Sequence, residues 1–84
     1  MITLLYFARL REALGAGSEQ LALPPAVRTL SALRAHLAQR GGVWAVEMAE
    51  GRNLRAAVNQ TVAAADAPVA DGDELAFFPP VTGG

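Results

Sequence analysis

Thr29 to Gly42 reads TLSALRAHLAQRGG, and the fold turns on how this stretch is read. Leu30, Leu33 and Leu37 recur at helical spacing and fall on one stripe. Thr29 is the residue type that caps a helix N-terminus, because its hydroxyl can accept a bond from an unpaired backbone N–H. Arg40 followed by Gly41 supplies a stop at the other end. A helix that is apolar along one stripe lies against another layer, and the segments around it read as strands. The expectation is therefore one main helix crossing a sheet.

Working outward, residues 2–8, ITLLYFA, are rich in β-formers and predict a strand. Side chains alternate across a strand, so Ile2, Leu4 and Tyr6 share one face, and Thr3, Leu5 and Phe7 the other. The first set is unbroken apolar and is the expected core side. Arg9 to Leu14 fits a helical turn or two, stopped by Gly15-Ala16-Gly17. Glu19 to Leu23 fits a second strand returning as a hairpin, ended by Pro24-Pro25. Val43 to Ala49 is ambiguous, with Trp44 expected to plug the edge of the core. Leu54, Ala56 and Val58 alternate with Arg55, Ala57 and Asn59 as a half-buried strand. Asn59-Gln60-Thr61 then bends toward a short strand near Val62. Asp71-Gly72 marks a turn, and Leu75 to Phe78 is the final strand. In that strand Leu75 and Phe77 share the inner face, and Glu74, Ala76 and Phe78 the outer. The order predicts an α+β fold, a sheet of about five strands with one crossing helix. Phe7 and Phe78 then lie on the face away from the helix, an apolar patch of the kind that marks partner contacts.

Composition narrows the function classes. Eighty-four residues make one core, and an apolar fraction of 52% is ample for folding. A net charge of −1 argues against nucleic acid or an anionic membrane as partner. The opening segment lacks a basic stretch and a cleavage site, and its apolar run is too short to span a bilayer. The expected location is the cytoplasm. All seven basic residues are arginine, so lysine is absent, and so is cysteine. Without cysteine there is no thiolate metal site, disulfide or side-chain persulfide. His36 is the single histidine and reads as a boundary residue. Asp71, Asp73 and Glu74 surround Gly72 and read as a turn, without the spacing of a calcium loop. No catalytic pair or phosphate loop can be assembled, and no metal or stably bound cofactor is expected.

What remains is the end, AFFPPVTGG from Ala76 to Gly84. Pro79-Pro80 cannot continue a central strand and holds the chain extended. The six residues from Pro79 to Gly84 reach about 20 Å from the body at an extended rise. This divides the chain into a body, residues 1–78, and a tail, residues 79–84. Glycine at the last two positions leaves no Cβ beside the terminal carbonyl, so a narrow channel can admit Gly83-Gly84. A free α-carboxylate ionises near about 3.5 and is a poor electrophile, so chemistry at Gly84 requires activation.

AVNQT (Ala57 to Thr61), DGDELAFFPPVTGG (Asp71 to Gly84) and the opening MITLLYFARLREALG together resemble the small, sulfur-carrier subunits of molybdopterin synthase. The likeness spans essentially the whole chain, and its C-terminal block is highly specific. It implies a ubiquitin-like β-grasp fold, a mixed sheet crossed by one main helix. It further implies that a ubiquitin-activating-type adenylyltransferase uses ATP and magnesium to adenylate Gly84, and that a persulfide donor converts the adenylate to a thiocarboxylate. The residues Pro79, Pro80, Val81, Thr82 and Gly83 would thread the terminus into the large synthase subunit. There the sulfur would pass to cyclic pyranopterin monophosphate to build the molybdopterin dithiolene. Two sulfurs per dithiolene imply a heterotetramer of two small and two large subunits. The carrier does no catalysis alone; its terminus is a co-substrate, and the active site belongs to the large subunit. Phe7 and Phe78 match positions at which family members bury aromatic rings in a partner, and Arg11 adds a polar contact. Other readings stay open at this point. They are a carrier of the same fold for thiazole or transfer-RNA thiolation, a protein modifier attached to target lysines, and an interaction module with an idle tail.

Overall fold

The structure, a computed structural model, describes residues 1–80. The tail residues Val81, Thr82, Gly83 and Gly84 lie outside the described residues. In chain order the elements are β1 (Ile2–Tyr6), α1 (Ala8–Leu14), β2 (Ser18–Leu21), α2 (Leu30–Ala38), α3 (Gly42–Glu47), β3 (Arg55–Val58), β4 (Thr61–Ala63) and β5 (Glu74–Phe78). The strands form one sheet in the order β2-β1-β5-β3-β4. β1 and β5 run parallel at its centre, with Leu4 beside Leu75 and Tyr6 beside Phe77; the other pairings are antiparallel. A mixed sheet with parallel first and last strands at the centre, crossed by a helix, is the β-grasp arrangement expected.

The leucine stripe of α2 makes the layer contact. Leu30, Leu33 and Leu37 are buried against Ile2, Leu4, Tyr6, Leu75 and Phe77. Each such side chain contributes roughly 1.5–3 kcal/mol of burial, which is how one short helix holds a five-stranded sheet. Thr29 does cap α2: its Oγ1 accepts from the Ala32 N–H at 3.1 Å. Strand parity is as expected on both central strands, with Phe77 inside at 2% exposure and Phe78 half-buried on the other face. The half-turn signals also hold. Asn59 and Gln60 adopt left-handed φ of 48° and 72° between β3 and β4, and Gly72 has φ 91°.

Three details differ from the sequence reading. The first strand ends at Tyr6 rather than Ala8, because Phe7 becomes the N-cap of α1 and Ala8 takes a φ of 54°. The second strand spans Ser18–Leu21 rather than Glu19–Leu23; it returns antiparallel to β1 with the expected helical turns, α1, in the connection. The ambiguous segment becomes α3, a short helix whose Trp44 meets Tyr6 edge to face at 5.5 Å.

Candidate functional site

The site is the sheet face that α2 does not cover. Register alone builds it. Leu5, Ala76, Ala57 and Val62 stand in one row across β1, β5, β3 and β4. Phe78 and Arg55 form the next row toward the end of β5. Phe7 extends that row, since its N–H donates to the Phe77 carbonyl at 3.2 Å, continuing the parallel ladder one step past β1. The two residues therefore take neighbouring positions on the ladder, Phe7 46% exposed and Phe78 half-buried. An aromatic pair beside a row of small and aliphatic side chains is the composition of an interface core.

Sharp local geometry presents Phe7. Its backbone is extended (φ −121°, ψ 157°), and the next residue, Ala8, holds the left-handed φ that costs a side-chain-bearing residue about 1 kcal/mol. Arg11 follows Phe7 by one helical turn and is exposed. Its guanidinium lies over Gly17, where a Cβ would come within 2.9 Å of Nε. The structure thus places Arg11 on the flank of the aromatic pair, packed against the α1–β2 loop. Pro79 and Pro80 follow directly from Phe78 without strand structure and are half-buried, so the tail departs from the edge of the aromatic face.

Sequence reasoning overlooked the polar groups that fix the frame around this face. The Tyr6 hydroxyl donates to Glu19 at 2.7 Å, and Arg40 grips the same carboxylate with Nη1 at 2.8 Å and Nη2 at 3.2 Å. Arg40 also lies over the Trp44 ring at 4.3 Å. Burial, then Glu19, holds the Tyr6 phenol well above its ordinary range, so it stays a neutral donor. Burial alone would lift the Glu19 carboxyl, but the Arg40 and Tyr6 hydrogen bonds outweigh it and hold the group below its ordinary value. Glu47 is buried and ion-paired on both oxygens, to Arg9 at 3.3 Å and Arg52 at 3.0 Å. Its signal in the sequence is only a carboxylate closing an apolar helix, GVWAVE.

The remaining polar candidates are structural. Asp71 pairs with the terminal amine of Met1, while Asp73 accepts from the Ala70 N–H and the Asn59 side chain. His36 is half-buried on α2. Among the described residues no three side chains form a metal-binding group. No helix among them is long and apolar enough to cross a membrane.

Residues 4–84 match the ThiS family. The chain belongs to this family. Two curated relatives extend the likeness over the full length of both chains. A molybdopterin synthase sulfur carrier subunit of Escherichia coli is 48% identical over 84 residues, and its Haemophilus influenzae counterpart 46%. Among solved structures, a molybdopterin converting factor subunit 1 described as putative, from Pyrococcus furiosus, superposes with a TM-score of 0.76 at 28% identity. That match covers 95% of this chain and 97% of the other. That superposition agrees with the β-grasp arrangement read from strand order.

Proposed function

We propose that this protein is a sulfur carrier in molybdenum cofactor biosynthesis, the small subunit of a molybdopterin synthase. The observation that carries the reading is the full-length likeness to two bacterial sulfur carrier subunits, which runs through Gly84. The open aromatic face beside the root of the tail supports it. A protein that delivers its own terminus to another needs a docking surface close to that terminus.

The chemistry belongs to the Gly84 carboxylate. Attack of the carboxylate on the α-phosphorus of ATP, in an activating enzyme, releases pyrophosphate and leaves an acyl-adenylate. A persulfide sulfur attacks the acyl carbon and expels AMP. A thiol then reduces the resulting S–S bond, leaving the thiocarboxylate. No side chain of this protein competes for the sulfur, because it has no cysteine. Phe7, Phe78 and Arg11 dock the body on the large subunit, and residues 79–84 carry the thiocarboxylate to cyclic pyranopterin monophosphate.

Co-expression with the activating enzyme and a sulfur donor tests this directly. The intact mass should rise by the difference between one sulfur and one oxygen, and removal of Gly84 should abolish the shift. A truncated chain that still supported molybdopterin synthesis would eliminate the carrier role.

A further inference from the structure

Glu47 is an unusual residue in this fold. It is the buried charged side chain among the described residues, 7% exposed, and it lies on α3, outside the aromatic face. Its Oε2 meets Arg52, which precedes β3, and its Oε1 meets Arg9, the second residue of α1. Both arginines are largely exposed, so the pair is anchored from the carboxylate side. Burying a carboxylate is costly unless paired, and one whose two oxygens each meet a different segment acts as a bracket between them.

The bracket has a mechanical target. Arg9 follows the junction at which Phe7 is extended and Ala8 takes its left-handed φ. A strained turn of this kind persists only where surrounding contacts over-determine it. Leu10 supplies one such contact by burying in the core with Leu14 packed beside it, and the Phe7 N–H bonded to the Phe77 carbonyl supplies another. The Arg9–Glu47 ion pair, Nη1 to Oε1 at 3.3 Å, adds a charged tie immediately after the strained residue. We infer that Glu47 is a positioning residue for partner docking: through Arg9 it fixes the start of α1 and so holds the Phe7 ring alongside Phe78. This rests on the reading above, in which Phe7 and Phe78 face the large subunit.

Binding of the full-length chain to the large subunit, measured by calorimetric titration, tests both levels. Phe7→Ala and Phe78→Ala should each weaken binding; if neither does, the docking reading itself fails. Given those losses, Glu47→Gln should weaken binding about fivefold, as expected for coupled neighbours. That effect should vanish in the Phe7→Ala background and persist in the Phe78→Ala background, since Phe78 stands on β5 rather than on α1. A general loss of stability would not distinguish the two backgrounds. Arg9→Gln breaks only the α1 arm and leaves Glu47 with Arg52, so it serves where Glu47→Gln folds poorly, and the same pattern is expected. If both variants bind as the parent does, or lose affinity equally in both backgrounds, Glu47 has no positioning role.

Discussion

Phe77 and Phe78 are neighbours in sequence with opposite roles, and strand alternation alone assigns them. Phe77 stacks with Tyr6, ring centres 6.4 Å apart, inside the core. Truncating it to alanine should cost about 3–5 kcal/mol in urea unfolding, a large share of a small domain's stability. Phe78→Ala should cost much less stability yet weaken binding to the large subunit by more than about 1 kcal/mol. Equal effects on stability would contradict the parity assignment. Glu19 offers a pH test at the same scale. Its carboxyl is held below its ordinary 4.5 in the folded state. The sign follows: the stabilisation is present above that ordinary value and is lost as pH falls through the lower folded value. The stability advantage of the parent over Glu19→Gln should therefore be steady near neutrality and shrink in acid, below about 4.5. An advantage that grows in acid would mean that Arg40 and Tyr6 do not hold the carboxylate form.

At the scale of elements, what was legible in the sequence followed from local rules. The stripe on α2, its Thr29 cap, the parity of β1 and β5 and the glycine turn at Gly72 each depend on residues within a few positions of one another. What stayed illegible depends on partners brought together only by the fold. Arg34 is the clearest case, one arginine among seven in the sequence. In the fold its Nε donates to the Met48 carbonyl at 2.9 Å, and its Nη2 donates to the carbonyls of Ala49 and Arg52, the latter at 2.7 Å. It ties α2 to the segment that leads from α3 into β3. The same holds for Glu47, whose partner Arg9 stands at the other side of the sequence. Arg34→Met keeps the stem and removes the donors, so it should speed amide exchange in residues 48–53 and cost about 2 kcal/mol. Unchanged exchange would show that the loop is held by its own contacts.

For the whole molecule, the order β2-β1-β5-β3-β4 places the last strand between the two halves of the sheet. Among the described residues β5 is the strand that links the β1–β2 and β3–β4 pairs, and it brings Leu75 and Phe77 into the core. The tail proposed to carry the sulfur is therefore rooted in the central strand of the sheet. Its starting point is set by the body of the protein up to Phe78. Two truncations separate these regions. A chain ending at Asp73 loses β5, leaving two unconnected strand pairs; two-stranded pieces are marginal in water. It should show no cooperative thermal transition by circular dichroism. A chain lacking only Gly84 keeps every strand and every core residue described, and its melting midpoint should match that of the full chain while sulfur loading is lost. A midpoint lowered by removing Gly84 would mean that the terminus stabilises the body, contrary to a tail kept available for a partner. A cooperative transition in the shorter chain would mean that the two strand pairs hold together without their central link.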